Sequence, residues 1–257
     1  LFRSVSFVDL VGKVHVPMTV GFMPKGVRWT ADGKRALVVS DGTLALVDLG
    51  EEPLVPRLIA LSDDPMDAPV AEEVELSPDG GYAFVRQRGS GDVLVVDLEA
   101  LSWEAVPLGK DPSDMDVSPD GNTLAVVVRG DAQLRLLDPT NPFGSASTVA
   151  LPSDGAYGSL QYLGGGDQAV LYTTASSKSR FALWSPGDDS ILERPLVKPI
   201  QSLGVSADGS SLLVFHPQAN GDTPSDSPFY NHWALTQISL SDLRSNPLLL
   251  QIGRAHV

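Results

Sequence analysis

The sequence lacks cysteine altogether and is poor in basic residues. Without cysteine, the 257-residue chain can form neither disulfides nor thiolate metal sites. Its 18 Lys and Arg against 32 Asp and Glu leave a formal net charge of −14, which argues against nucleic acid or an anionic membrane as the main partner. No run of about 18 apolar residues occurs, so the sequence predicts no transmembrane helix.

The short motifs that mark common catalytic sites are also missing. The chain contains no G-x-S-x-G, no H-E-x-x-H, no G-x-x-x-x-G-K-[ST] and no EF-hand loop. Its four histidines show no metal-ligand spacing. We therefore expect no metal site and no cofactor.

Glycine and proline are abundant, by contrast, with 24 and 20 residues, and they punctuate a repeat. Five similar turns occur at residues 30–33, 77–80, 118–121, 163–166 and 206–209, and four of them end in Asp-Gly. Their last glycines are 47, 41, 45 and 43 residues apart. A period of about 40 to 50 residues made only of strands is typical of propeller blades.

Each repeat contains four short strand patterns and no sustained helical period. The second strand is nearly all apolar, as in residues 36–40, 82–86 and 124–129, which is typical of a strand covered on both faces. The third ends at an aspartate in three repeats, at Asp48, Asp97 and Asp138. We predict an all-β fold, a β-propeller of four-stranded antiparallel blades with the strands in chain order.

The repeats predict a single propeller domain over residues 1–251. Complete blades fall near 23–62, 63–109, 110–152, 153–198 and 199–251, and residues 1–22 supply half of another. Since closed propellers have about four to eight blades, we expect a fragment of a larger ring, of about six to eight. Residues 252–257 resemble the in-frame translation of a sequencing adapter, so we expect this tail to be non-native.

Residues 20–49 and 108–139 share a longer pattern: glycine, a spacer, proline, a strand, a turn of the S-P-D-G type, an apolar strand and an aspartate. In this they resemble YVTN-type propeller repeats, although the fourth repeat has G-G-G-D in place of S-P-D-G. That superfamily includes surface-layer and periplasmic propellers with lactonase-like and quinoprotein-like relatives. The resemblance implies an exported protein, in the periplasm or at the cell surface.

The loops that join strands two to three and four to one vary in length, whereas the turns between strands one and two are uniformly short. Both kinds of variable loop emerge on one face of a propeller, and binding loops on a rigid scaffold are the usual arrangement. We therefore expect non-catalytic binding of a protein, peptide or polysaccharide on this variable-loop face. The expected binding residues are Arg86, Arg88, Lys110, Asp111, Asp114, Arg129, Tyr157, Lys178, Arg180, His216, Tyr230 and His232.

Two other function classes stay open. A lactonase-like hydrolase would need histidine, arginine and carboxylates with shifted pKa values at the channel mouth, and His216 beside a buried carboxylate would favour it. A propeller that holds quinone or haem would need axial ligands and aromatic stacking, which the dispersed tryptophans do not favour. Whether the chain is an enzyme is therefore open, with binding favoured.

Two acidic features have structural interpretations. The Asp-Gly turns predict local bonds from aspartate to the backbone, with glycine supplying positive φ. The insertion at 217–231, flanked by His216 and His232, contains oxygen ligands suited to zinc or calcium, but its spacing matches no dedicated metal loop. We expect its aromatic residues, Phe229 and Tyr230, to pack the loop together with Trp233.

Overall fold

The computed structural model describes residues 3–64 and 66–250. Over this part of the chain it contains 22 strands and a single 3-10 turn at Arg129–Asp131. No helix in these residues could span a membrane. The expected non-native tail at 252–257 lies outside the described residues.

The strands form six antiparallel sheets, each ordered as the chain runs. The N-terminal hairpin comprises β1 (Ser4–Asp9) and β2 (Val14–Thr19). Blade 1 comprises β3 (Phe22–Trp29), β4 (Arg35–Asp41), β5 (Thr43–Asp48) and β6 (Arg57–Ala60). Blade 2 comprises β7 (Ala71–Leu76), β8 (Tyr82–Gln87), β9 (Asp92–Asp97) and β10 (Ser102–Pro107). Blade 3 comprises β11 (Pro112–Val117), β12 (Leu124–Val128), β13 (Gln133–Leu137) and β14 (Ser147–Ala150). Blade 4 comprises β15 (Ser159–Tyr162), β16 (Ala169–Tyr172), β17 (Arg180–Ser185) and β18 (Ser190–Pro195). Blade 5 comprises β19 (Ser202–Val205), β20 (Ser211–His216), β21 (Ala234–Ser239) and β22 (Ser245–Leu249).

These sheets confirm the predicted five complete blades, the half blade and the strand order. The third strand ends at Asp48 in blade 1 and at Asp97 in blade 2, as the sequence predicts. In blade 3 it ends at Leu137, one residue before Asp138.

The Asp-Gly turns have the local bonding that the sequence predicts. In blade 2, Asp79 accepts hydrogen bonds from the Ser77 hydroxyl at 2.6 Å and from the Gly81 N–H at 3.0 Å. Gly80 has a φ of +70°, a conformation that glycine adopts without steric cost. Hydrogen bonds from Ser77 and Gly81 hold the pKa of Asp79 below its usual value. The acids of these turns therefore fix the hairpins.

The core consists of apolar layers between neighbouring blades. Every residue of β12 is fully buried, because side chains on both of its faces meet another blade. Fully burying such a Val or Leu side chain contributes about 1.5 to 3 kcal/mol. These layers hold the first strands of successive blades in contact, which positions the polar side chains on them.

The two ends of the array differ from its middle. The hairpin packs Phe7 and Met18 against Ala36 and Val47 of blade 1. Across the described residues the blades do not close into a ring. As a result β20 is buried on one face only, and its Phe215 is 45% exposed.

Candidate functional site

Four carboxyl side chains occupy equivalent positions on the first strands of blades 2 and 3. Glu73 and Asp114 lie four residues before the turn serine, and Glu75 and Asp116 lie two residues before it. We call these four the inner carboxyls. Arg28 takes the position of Glu75 in blade 1, and uncharged residues take both positions in blades 4 and 5.

The inner carboxyls bond to the backbone of the next blade. Glu73 Oε2 accepts from the Met115 N–H at 3.1 Å, and Asp114 Oδ2 accepts from the Leu160 N–H at 2.6 Å. Asp116 Oδ2 accepts from the Tyr162 N–H at 2.9 Å. Three of the acids thereby satisfy N–H groups that face a neighbouring blade, so they connect blades 2, 3 and 4.

Burial raises the pKa of all four inner carboxyls. It raises the pKa of Glu73 to about 8, with the neighbouring Asp114 carboxyl as the second cause and Arg86 acting in the opposite direction. It raises the pKa of Glu75 to about 7, and the pKa values of Asp114 and Asp116 also rise. Because the carboxyls of Glu73 and Asp114 are neighbours, a proton on Glu73 lowers the repulsion between them, in line with its raised pKa.

Arg86 joins this cluster to the variable-loop face. Its Nη1 donates to Glu72 Oε2 at 2.6 Å and its Nε donates to Glu73 Oε2 at 3.1 Å. Adjacent glutamates reach one guanidinium because the β7–β8 register shifts between Ala71 and Glu73, as at a β-bulge. Arg88 Nε donates to Glu72 Oε1 at 2.7 Å, and this bond is the main reason that the pKa of Glu72 lies below its usual value.

The loops of blade 3 meet on the same face. The Gly130 N–H donates to the Lys110 carbonyl at 2.9 Å, which ties the second-to-third loop to the loop before the first strand. Arg129 donates to Asp111 Oδ2 from Nε at 2.9 Å and from Nη2 at 2.7 Å. Both side chains of this pair are exposed in part, at 39% for Arg129 and 53% for Asp111.

The twelve expected binding residues differ in their accessibility. The exposed ones are Arg88, Lys110, Asp111, Arg129 and His232. The half-buried ones are Arg86, Asp114, Lys178, Arg180 and Tyr230. Tyr157 and His216 are buried.

The two buried members have partners inside the protein. Tyr157 donates its hydroxyl proton to Glu193 Oε1 at 2.6 Å. His216 Nδ1 donates to the Pro199 carbonyl at 2.9 Å, and its Nε2 accepts from the Thr236 hydroxyl at 2.7 Å. His216 thus has its two ring nitrogens engaged by uncharged groups, not the buried carboxylate that a hydrolase would need.

Lys198 holds the 217–231 insertion in place and was not anticipated from the sequence. This fully buried ammonium donates to the carbonyls of Phe229 at 3.0 Å and Gln218 at 3.2 Å, and to Asn220 Oδ1 at 3.2 Å. Asn220 Oδ1 also accepts from the Asn231 N–H at 2.6 Å. The polar groups of the insertion therefore serve loop closure, and within residues 3–64 and 66–250 no group of three His, Asp or Glu could hold a metal ion.

The anchored insertion forms one wall of a groove beside blade 4. The groove has a volume of about 430 Å³ and runs between the end of β18 and residues 222–224. Arg180, Glu193 and Arg194 supply its charged lining, opposite Asp222. Arg180 Nη1 donates to Asp154 Oδ2 at 3.0 Å and to Glu193 Oε1 at 3.4 Å, while Asp222 accepts from the Ser179 hydroxyl and N–H.

No protein-family model and no curated protein sequence matches the chain. Solved structures do match. The dihydro-heme d1 dehydrogenase NirN in complex with DHE has a TM-score of 0.71 at 13% identity, over 96% of this chain and 52% of the other. The β-propeller domain of Myceliophteria thermophila Cps50 (Swd1) has a TM-score of 0.59 at 17% identity, over 96% and 73%. A putative 6-phosphogluconolactonase from Bacteroides uniformis has a TM-score of 0.57 at 14% identity, over 96% and 78%.

These similarities establish the fold: the chain is built as a β-propeller of four-stranded blades. It spans about half the length of the dehydrogenase. The neighbours include both a WD40-type propeller and lactonase-like proteins, and one fold can carry many activities.

Proposed function

We propose that the chain is a non-catalytic binding propeller whose variable-loop face holds a protein, peptide or polysaccharide. The observation that carries this proposal is the set of solvent-accessible charges on that face, arranged as ion pairs. Arg88 is 71% exposed beside Glu72, and Arg129 is 39% exposed beside Asp111. The repeat resemblance adds the proposal that the protein acts in the periplasm or at the cell surface.

These pairs are more useful for recognition than for stability. Exposed ion pairs contribute about 0 to 1 kcal/mol to folding, so the fold does not require them. They offer donors and acceptors at fixed positions on a rigid scaffold, and they include no nucleophile activated by a neighbouring base. A surface with both charge signs suits a polar partner.

The proposal is tested with the double variant Arg88→Glu/Arg129→Glu. Immobilised random peptides and polysaccharides serve as probes, and ligands selected on the unaltered protein are measured again on the variant. We expect at least tenfold weaker binding with an unchanged melting curve. Lys34→Glu is the matched control, because Lys34 is exposed on the opposite face, where it pairs with Asp32.

Binding that survives in the double variant, or that falls equally in Lys34→Glu, would overturn the proposal. So would the absence of any selectable ligand among the probes.

A lactone hydrolase is the second candidate, because of the Glu73–Asp114 pair beside Arg86. A carboxyl that keeps its proton at neutral pH can act as a general acid, and its ionised partner can act as a general base. The lactonase-like neighbours share the fold. Hydrolysis of simple lactones far above background, lost in Glu73→Gln but kept in Arg88→Glu/Arg129→Glu, would favour this candidate over binding.

A further inference from the structure

The groove beside blade 4 combines a free strand edge with an anchored wall. β18 is the last strand of its sheet and pairs with β17 alone, so its outer backbone N–H and C=O groups have no strand partner among the described residues. The wall opposite is held by Lys198 and by the bond from the Thr223 hydroxyl to the Val197 carbonyl at 3.4 Å. The wall and the end of β18, where the chain enters the loop to blade 5, lie at the variable-loop face.

Arg194 is a cation in the groove without an ion-pair partner among the described residues. Arg180, Glu193 and Asp222 all take part in hydrogen bonds or ion pairs with neighbouring side chains. Arg194 makes no ion pair within the described part of the chain, and its buried Nε has no hydrogen-bond acceptor. Arg194 therefore leaves a positive charge at the groove that no described carboxylate pairs with, and a negatively charged ligand can pair with its guanidinium.

The charge balance selects the kind of acceptor. With Glu193 and Asp222 nearby, a single negative charge matches Arg194 better than a phosphate dianion would. A carboxylate fits the planar fork of a guanidinium through two parallel hydrogen bonds. The net charge of −14 also disfavours polyanions.

We propose that this groove binds an extended peptide that adds to the free edge of β18 and places an acidic side chain against Arg194. Strand addition satisfies the open backbone groups of the edge, and the acidic side chain supplies specificity. Leu196, Val197 and Pro224 provide apolar contacts for the neighbouring peptide side chains. This inference goes beyond the proposed function, because the groove lies beside blade 4 and includes neither Arg88 nor Arg129.

The test uses fluorescein-labelled hexapeptides in matched pairs, each with Glu or Gln at one position, and measures binding by fluorescence polarisation. We expect the Glu peptides to bind at least tenfold more tightly than their Gln counterparts. Arg194→Gln should abolish that preference. Arg57→Gln is the matched control, because Arg57 lies on β6, the equivalent last strand of blade 1. This variant should bind the peptides as the unaltered protein does.

A second arm tests strand addition itself. N-methylation of alternate peptide bonds removes the N–H donors of the peptide, so one of the two methylated registers should lose binding. Equal binding of both registers, equal binding of Glu and Gln peptides, or full binding to Arg194→Gln would overturn the inference.

Two further outcomes separate this inference from the proposed function. If peptide binding depends on Arg88 and Arg129 and not on Arg194, the inference about the groove is wrong and the proposed binding face is supported. If only an oligogalacturonate, used as an acidic polysaccharide probe, binds in an Arg194-dependent way, the peptide is wrong and the carboxylate site stands.

Discussion

Single residues that contact distant parts of the sequence determine how the variable-loop face is built. From the sequence, His216 is expected to be a binding residue and Lys198 has no assigned role, yet both are fully buried. Lys198 bonds to three residues of the 217–231 insertion, whereas His216, at the end of β20, bonds to Pro199 and to Thr236 on β21. No local pattern encodes either set of contacts. Their uncharged partners assign both residues to the architecture of this region.

Lys198→Met should destabilise the protein by about 2 kcal/mol, because it removes the three hydrogen bonds by which the ammonium holds the insertion, to the Phe229 and Gln218 carbonyls and to Asn220 Oδ1. Urea denaturation measures the change. The insertion should also become susceptible to proteolysis near 217–231. Lys110→Met, at an exposed position, is the control. Equal stability of the two variants would refute the anchoring role.

At the scale of the element, the sequence predicts the strands well and their side-chain partners poorly. The turn spacing predicts the five complete blades, because each hairpin turn, four of them Asp-Gly, is encoded within a few residues. When the repeats are aligned on these turns, acids occur at two recurring positions of the first strands. Of the four inner carboxyls, however, only Asp114 is predicted from the sequence to be a binding residue. What makes Glu73 unusual is its burial, followed by the nearby Asp114 carboxyl, 41 positions along the chain, and both depend on how the blades pack.

The inner carboxyls should make the stability of the fold depend on pH. The carboxyl of Glu73 has an ordinary pKa of 4.5 and a folded pKa of about 8, so between these values the folded state binds the extra proton. Its stabilising contribution is complete below pH 4.5 and is lost as the pH rises through about 8. Glu75, with a folded pKa of about 7, acts in the same direction.

We therefore expect the urea concentration at the unfolding midpoint of the unaltered protein to decrease as the pH is raised from 6.5 to 9. The decrease should be smaller in Glu73→Gln, which keeps the shape of the side chain without its charge. This range also avoids His216, whose pKa is lowered by burial and which destabilises the fold as the pH falls below 6.5. Glu72→Gln should retain the alkaline decline, since the pKa of Glu72 is lowered instead of raised. Parallel curves for all three proteins would exclude the carboxyl pair as the cause.

The groups that face the Glu73–Asp114 pair come from several strands. The decrease of stability with rising pH therefore depends on the whole cluster and not on one residue. Arg86 on β8 favours ionisation of Glu73, whereas Asp114 on β11 opposes it. The pKa of Tyr172 on β16 is raised mainly by burial, and the negative charge of Asp114 raises it further. Glu75 and Asp116 add negative charge from β7 and β11, and Arg28 on β3 offsets the charge of Glu75.

At the scale of the whole molecule, the interior of the array is better covered than its ends. The second strands of blades 2 and 3 are shielded by neighbours on both faces, whereas that of blade 5 alternates between buried and exposed residues. Leu213 and Phe215 are 38% and 45% exposed on the uncovered side. Repeat proteins depend on polar terminal units for solubility, and this face is not polar.

The chain of residues 1–257 should therefore associate through the uncovered face of blade 5. We expect concentration-dependent oligomers in analytical ultracentrifugation and enhanced fluorescence of a dye that binds apolar surface, because exposed apolar sheet faces attract one another. Leu213→Lys/Phe215→Lys should reduce both signals while preserving the melting temperature, since neither side chain lies in a core layer. Glu104→Lys on β10, an exposed strand position within the array, is the control for added positive charge. A monomer without dye binding before any substitution would contradict this account, because it would require another part of the protein to cover the face.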